Sequence, residues 1–487
     1  MKYKIFPFNF EEIDNEILIV GLAGDFAFLS KDDFNAFIDY KLNQTSETYL
    51  LLKNKKFLAD SKDGILNTID MTATNYRAKK AFLRDFTSLH MMVITLRCNQ
   101  TCKYCQVSSQ EQEAKQYDMS VETAYKVIDF IFKSPSVCIK IEFQGGESTL
   151  NWQVIKQSVL YAKEKNKFHK KILDFVICTN LTTNITAHID FIKEHNIAIS
   201  SSLDGDRIVH NKYRVYKNGD STYDKVIKNL QDIRELYKYE NIDCLMTTTA
   251  FSLKNTKRII DEYIKLNFSG IFLRAINPYG FAVQHQNDFL YKADKFVEFY
   301  KEALDYILEL NKQGVYFVEH YTTLLLTRIL TPFSTGFVDL QSPSGAGISG
   351  VIYDYDGNVY PADEARMLAQ MGDKYFVMGN VHKNSYKEVF SSDILQKIVN
   401  ESCLEVMPIC NQCVFSAYCG ADPIRNYLET KDIMGDRLNS DFCKKNKAIF
   451  RHLFSLIKKD DEQINDIFWS WINKKPLFRA ENENSCK

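Results

Sequence analysis

Eight consecutive residues offer the richest chemistry in the chain: Cys98-Asn99-Gln100-Thr101-Cys102-Lys103-Tyr104-Cys105. The three cysteines stand at CxxxCxxC spacing, directly after the apolar run from Met91 to Leu96. At that spacing one short loop can aim three thiolates at one point. Three thiolates can hold three irons of a [4Fe-4S] cube and leave the fourth open, a reaction site rather than a sealed electron carrier. Zinc fits less well, since it takes four ligands, or three and a water, and commonly uses His; no His lies in this loop. Three unrelated buried thiols are the bland alternative, and the clustering weighs against it.

A second group reads Cys410-Asn411-Gln412-Cys413, then Cys419-Gly420, then Cys443. Four thiolates can fully ligate a second [4Fe-4S] cluster or hold one zinc ion in a ribbon, and spacing alone leaves both open. Between the two groups, Phe143-Gln144-Gly145-Gly146-Glu147-Ser148 places paired glycines after an apolar run, where backbone can approach a ligand closely; an ordinary turn is the other reading. Ser202-Leu203-Asp204-Gly205, followed by His210-Asn211-Lys212-Tyr213-Arg214, supplies a hydroxyl, a carboxylate and a guanidinium. Cys403 is a reserve ligand. Cys138, Cys178 and Cys244 lie in apolar runs and read as core thiols. Cys486, in a polar tail, is expected to do nothing.

These groups need a scaffold, and the periodicity supplies one. Strand-like runs fall at 91–96, 137–143, 173–179, 197–203, 243–249 and 270–276. Amphipathic helical stretches fall between them, at 120–133, 151–167, 186–195, 221–237 and 254–267. Alternating strands and helices predict a parallel sheet under covering helices. Six such units predict an α/β fold, a (β/α)6 partial TIM barrel, with active groups at the C-terminal strand ends. The first cysteine loop follows the first strand. Residues 1–85 form a small α+β unit: apolar runs from Glu16 and Phe26 flank Ala23-Gly24-Asp25 as a hairpin, and Ser30 and Ser46 mark helix starts. The expected division is 1–85 as an N-terminal unit, 86–290 as the core and 291–340 as a helical connector. A loop-rich 341–450 carries the second cysteines, and 451–487 forms a C-terminal helix and tail.

The totals exclude some classes. A chain of 487 residues suggests two or three domains. The 61 basic and 62 acidic residues leave a net charge of −1, so electrostatics make no case for nucleic acid. No apolar run is long enough to span a membrane, and no signal-peptide segment follows Met1. A cytoplasmic location is the expectation, where twelve cysteines serve as metal ligands more readily than as disulfides.

The CxxxCxxC motif, with Tyr104 before its last cysteine, resembles that of radical S-adenosylmethionine (AdoMet) enzymes. The resemblance implies that Cys98, Cys102 and Cys105 bind a [4Fe-4S] cluster and that AdoMet chelates its fourth iron. One electron then splits AdoMet into methionine and a 5′-deoxyadenosyl radical, which takes a hydrogen atom from substrate. The stretch at Gln144, Gly145, Gly146 and Glu147 resembles the family's GGEP motif, which holds the AdoMet amino group, with Ser148 in place of the proline. Ser202 and Asp204 would bond the ribose and Arg214 the AdoMet carboxylate. Tyr104, Thr179 and Asn180 stand where the family places cofactor contacts. Asn211 replaces the family's usual Asp.

The second cysteine group resembles the SPASM extension of radical AdoMet maturases, a loop-rich Fe-S domain. A full SPASM domain holds two auxiliary clusters. The stretches around Pro343-Ser344-Gly345-Ala346-Gly347, Tyr360-Pro361-Ala362-Asp363 and Pro423 lack the cysteines of one of them. One auxiliary [4Fe-4S] cluster is therefore expected, on Cys410, Cys413, Cys419 and Cys443. Asp363 aligns with the carboxylate that would accept a proton in sulfatase-maturing relatives, so it is the candidate catalytic base; a surface Asp is the alternative.

Residues 1–85 resemble winged-helix peptide-recognition domains, with a structural cap as the other reading. A narrower resemblance, on Tyr104-Cys105-Gln106-Val107-Ser108, Asn277-Pro278-Tyr279-Gly280-Phe281-Ala282, Asp363-Glu364-Ala365-Arg366-Met367-Leu368 and Cys419-Gly420-Ala421-Asp422-Pro423, is to the His-Xaa-Ser system maturases. It implies a ribosomal precursor peptide as substrate, a second radical enzyme as partner, and a flavodoxin- or ferredoxin-type reductant. The expected activity is hydrogen abstraction from that peptide and an oxidative modification, a crosslink first. Formylglycine-type oxidation is the alternative within the class. A catalytically silent peptide- and cluster-binding partner and a zinc-binding regulator are the rivals outside it.

Overall fold

The order of strands in the main sheet explains how distant motifs meet. The computed structural model describes residues 3–280 and 290–477. The N-terminal unit opens with β1 (Lys4–Ile5), β2 (Phe8–Ile13), β3 (Glu16–Gly21), β4 (Phe26–Leu29) and β5 (Leu58–Ala59). The core supplies β6 (Leu89–Thr95), β7 (Cys138–Gly145), β8 (Ile172–Cys178), β9 (Ala198–Ser202) and β10 (Ile242–Leu245). Two short strands follow, β11 (Gly270–Ile271) and β12 (Val318–Glu319), then β13 (Gly350–Tyr353), β14 (Asn358–Tyr360) and β15 (Gly379–Asn380).

One eight-stranded sheet runs in the order β10-β9-β8-β7-β6-β13-β14-β15. The strands from β6 to β10 are parallel, β13 joins β6 in parallel, and β14 and β15 are antiparallel. The alternation in β7 shows why it forms. Ile139, Ile141 and Phe143 are buried, in one core with the helices Val121–Ile131 and Trp152–His169. Glu142 and Gln144 fall on the opposite face, which looks into a cavity. The five expected helices appear between the strands, and Ser120 caps the first of them by accepting from the Thr123 amide.

Two expectations change. The run 270–276 does not complete a sixth strand of the main sheet. Only β11 forms, pairs with β12, and reaches the β10 side through one bridge, Thr248 to Ala275. The cause is Glu319, fully buried, whose carboxylate accepts the Leu273 amide at 3.0 Å that a neighbouring strand would otherwise take. The C-terminal part holds two helices: one starts at Asp441 rather than near 451, runs to Lys458 and carries Cys443, and a second spans Glu462–Asn473. Phe281, Ala282 and Cys486 lie outside the described residues.

The hairpin of β3 and β4 forms as expected, and Ser30 and Ser46 cap the next two helices. A third helix, Lys62–Lys79, was not anticipated. This unit docks on the C-terminal segment. Phe26 meets Phe454 edge-on at 5.2 Å, Arg451 pairs with Glu11 at 2.5 Å, and Tyr418 donates to the Gly24 carbonyl at 2.8 Å. No helix among the described residues is long and apolar enough to cross a membrane.

Candidate active site

The C-terminal ends of β6 to β9 surround a cavity of about 350 Å³. Its wall includes all three cysteines of the first loop, Tyr104, Gln144, Gly145, Gly146, Thr179, Asn180, Ser202, Arg214 and Asp363. The loop is shaped by backbone pairing, with Thr101 donating to the Val215 carbonyl at 2.9 Å and Cys98 to that of Gln110 at 3.1 Å. Arg97 braces its base, with Nε 2.7 Å and Nη2 2.8 Å from the two Asp118 oxygens, and reaches the Gln112 and Leu150 carbonyls. Asn180 donates to Asn99 at 2.9 Å and lies 3.8 Å from the Cys98 sulfur.

Electrostatics at the loop are mixed. Burial pushes the Cys98 thiol well up and the Cys102 thiol up to about 12, while the Arg214 guanidinium beside Cys102 favours its thiolate. Thiols in such a site give up their protons to a bound metal.

The motifs are placed in ways their types alone did not reveal. A Cβ on Gly145, at φ 153°, would sit 2.0 Å from the Thr95 carbonyl oxygen, and one on Gly146 2.4 Å from that of Arg97. The two glycines thus let the end of β7 press against the root of the cysteine loop, a packing need as well as a cavity edge. Glu147 is fully buried and absent from the cavity wall. Its carboxylate accepts from the Asn180 amide at 2.7 Å, the Thr179 hydroxyl at 2.8 Å, and the Thr149 amide at 3.1 Å and hydroxyl at 2.5 Å. It joins the ends of β7 and β8. Asp204 likewise is buried; it accepts from the Tyr104 hydroxyl, from Arg214 Nε at 3.0 Å and from the Thr247 amide at 3.1 Å. Ser202 and Arg214, not Asp204, reach the cavity. Asn211 caps the next helix region, accepting from the Thr222 and Tyr223 amides at 3.1 Å.

Asp363 begins the helix Asp363–Gln370, where a negative charge is favoured. Buried Arg366 orients it through Nε at 3.1 Å.

Among the wall residues that sequence reasoning missed are Glu142, Cys178 and Arg274. Cys178 is not a core thiol but donates to Glu142 at 3.2 Å, and Gln144 donates to the same oxygen. The period of two in β7, which puts Glu142 on the face of Gln144, was the available signal. Cys138 is exposed, and of the three supposed core thiols only Cys244 is buried.

The second cysteine group also converges. Cys410, Cys413, Cys419 and Cys443 line a separate cavity of about 620 Å³. Ile409, before the first of them, is held at φ 72°, a strained conformation for a β-branched residue. Burial pushes the Cys410 thiol up, against Arg437 and Lys447, and Cys419 up to about 12. Cys403 bonds Glu405 at 3.3 Å and is not on the wall. Among the described residues no three His, Cys, Asp or Glu side chains converge closely enough for a single metal ion. Four cysteine sulfurs on one cavity wall are the donor set of a four-thiolate [4Fe-4S] cluster. In both places the donor set fits an iron–sulfur cluster.

Comparison with known proteins accords with this geometry. Residues 92–252 match the Radical SAM superfamily. The chain is 24% identical over 389 residues to the cysteine-type anaerobic sulfatase-maturating enzyme of Clostridium novyi (strain NT), covering 74% of this chain and 94% of that protein. It is 23% identical over 320 residues to the radical SAM cyclopropyl synthase TigE of Paramaledivibacter caminithermalis, covering 60% and 63%. The fold resembles native anSMEcpe with bound AdoMet, at TM-score 0.63, 19% identity and coverage of 78% and 99%. It also resembles Streptococcus suis SuiB bound to precursor peptide SuiA, at TM-score 0.53, 11% identity and coverage of 91% and 99%. Residues 92–252 therefore form a Radical SAM domain, which implies a [4Fe-4S] cluster and AdoMet, in an enzyme homologous to anaerobic sulfatase-maturating enzymes and to a radical SAM cyclopropyl synthase.

Proposed function

We propose that the chain is a peptide maturase that removes a hydrogen atom from a ribosomally made peptide and installs an oxidative modification, a crosslink first among the outcomes. The observation that carries this is the single cavity joining the three-cysteine loop, the ends of β7 to β9 and Asp363. When bound there, a reduced [4Fe-4S] cluster with AdoMet supplies the one-electron chemistry that breaks a substrate C–H bond. Cys98, Cys102 and Cys105 hold the cluster. Ser202, Thr179, Asn180 and the part of Arg214 not turned to Asp204 hold AdoMet, with the backbone of Gly145 and Gly146. Glu147, Asp204 and Tyr104 keep those groups in place. Glu142 and Gln144 offer polar atoms to the substrate. Asp363 accepts the proton lost as the substrate is oxidised.

Cys410, Cys413, Cys419 and Cys443 would hold one auxiliary [4Fe-4S] cluster, which would supply an electron acceptor. Residues 1–85 bind the peptide outside the catalytic cavity, in an apolar groove of about 520 Å³ formed by Phe6, Val20, Leu22, Ile69, Ala73 and Tyr76. The precursor peptide named with SuiB supports a peptide as substrate. The motifs quoted for the His-Xaa-Ser maturases support peptides of that pattern.

Formylglycine formation is the second reading, favoured by the similarity to sulfatase-maturating enzymes over 74% of the chain. The absence of cysteines at 343–347, 360–363 and 423 weighs against it. Anaerobic turnover with AdoMet, a strong reductant, and either a His-Xaa-Ser repeat peptide or a sulfatase-type cysteine peptide separates the two. Loss of two hydrogens from the repeat peptide without an aldehyde supports the crosslink. A hydrazide-reactive aldehyde on the cysteine peptide replaces it with the second reading.

A further inference from the structure

The four-cysteine cavity contains a buried cation without an anion. Arg437 is 6% exposed and lines that cavity. Its Nε has no hydrogen-bond partner, and Nη2 reaches only the Met407 sulfur, at 3.7 Å. The other buried arginines among the described residues are provided for: Arg97 has Asp118, Arg366 has Asp363, and Arg328 donates to the Tyr418 carbonyl. Among the described residues Arg437 forms no ion pair. Burying an unpaired guanidinium is costly, so such a group is retained where an anion compensates it. The wall around it carries the four cysteine sulfurs and two carboxylates that do not pair with Arg437, Glu11 on Arg451 and exposed Asp294, and Arg437 is the foremost charge favouring the Cys410 thiolate.

We infer that Arg437 is the built-in counter-charge of an anionic iron–sulfur cluster in this cavity and raises that cluster's reduction potential. The inference rests on the auxiliary-cluster reading above. A [4Fe-4S] cluster with four thiolates is a net anion, and one added electron makes it more so. A fixed cation stabilises the reduced form more than the oxidised one, and burial keeps solvent from screening it. Potentials of such clusters respond to net charge and exposure in this way. Three other cations line the cavity: Lys444 is exposed, so its charge is screened, Arg451 is paired with Glu11, and half-buried Lys447 favours the Cys410 thiolate less than Arg437 does. In turnover a substrate carbon radical would give one electron to the oxidised cluster and one proton to a cavity base, leaving a closed-shell product. Arg437 is a positioning residue for the electron in that step, without touching the substrate.

The test uses the full chain with Cys98, Cys102 and Cys105 all changed to Ala, so that iron reports on the second site alone. Arg437→Gln, Arg437→Lys and Lys444→Gln are added singly. After anaerobic reconstitution, iron and sulfide are counted and the midpoint potential is followed by EPR. Expected are about four irons per chain, a lower potential for Arg437→Gln, a potential near the parent's for Arg437→Lys, and a smaller shift for Lys444→Gln. Loss of the cluster in Arg437→Gln with retention in Arg437→Lys supports the same conclusion. An unchanged potential in Arg437→Gln, or cluster loss in both Arg437 variants, overturns the role of charge while leaving the cluster reading intact. A parent that binds no iron overturns the cluster reading, and the inference with it.

Discussion

Replacing Glu147 with Ala separates a strut from a ligand. The carboxylate is fully buried and receives four hydrogen bonds, two from backbone amides. The Thr149 hydroxyl keeps a partner in Thr183 at 2.8 Å, and a hydroxyl such as that of Thr179 can rotate. The Asn180 and Thr149 amides cannot. Two orphaned amides at about 1–3 kcal/mol each give about 2–6 kcal/mol, a large share of the 5–15 kcal/mol or so that holds a typical domain together. Glu147→Gln keeps one acceptor oxygen but turns an NH2 toward donors, costing about 1–3 kcal/mol. Guanidinium unfolding of the AdoMet-free protein should show Ala far less stable than Gln, and Gln less stable than the parent. If both variants unfold with the parent while AdoMet affinity drops, the carboxylate is a cofactor ligand and the strut account is wrong.

Gly145→Ala forces a Cβ to within 2.0 Å of the Thr95 carbonyl oxygen at φ 153°; a loss of about 3 kcal/mol or more is expected, read as poor iron incorporation together with early unfolding. Asp204→Asn leaves half-buried Arg214 without its counter-charge, at about 1–3 kcal/mol; unfolding that matches the parent would contradict this. Lys79 gives a pH signature. Burial lowers its amine from 10.5 to about 7, and it donates to the Arg328 carbonyl at 2.6 Å. Between those values the unfolded chain holds a proton that the folded chain does not, so stability rises with pH across that window. Measured against Lys79→Met, the parent should gain about 2 kcal/mol from pH 7 to pH 9; a constant difference refutes it.

Much of the core was legible because it depends on local pattern. The apolar runs of β6 to β10 and the amphipathic helices between them declare themselves within a dozen residues or so. The cysteine loops carry their spacing on their face. What could not be read was long-range. Tyr104 and Asp204 are 100 positions apart, and only the fold turns that carboxylate from an expected ribose contact into a clamp on Tyr104 and Arg214. Glu319 captures the Leu273 amide and so shortens an expected strand, a side-chain event that no periodicity reports. Glu142 and Cys178 were readable in part: alternation placed Glu142 beside Gln144, but an apolar stretch made Cys178 look like core packing.

The central claim is that the three-cysteine loop builds a radical-generating site, and 5′-deoxyadenosine formation tests it most directly. The anaerobically reconstituted protein is given AdoMet and a strong reductant, alongside a variant with Cys98, Cys102 and Cys105 all changed to Ala. The account predicts 5′-deoxyadenosine and methionine from the parent and neither from the variant. Parent protein with iron and AdoMet both bound, yet producing no 5′-deoxyadenosine with or without peptide, would contradict it and leave a silent cluster-binding partner in its place.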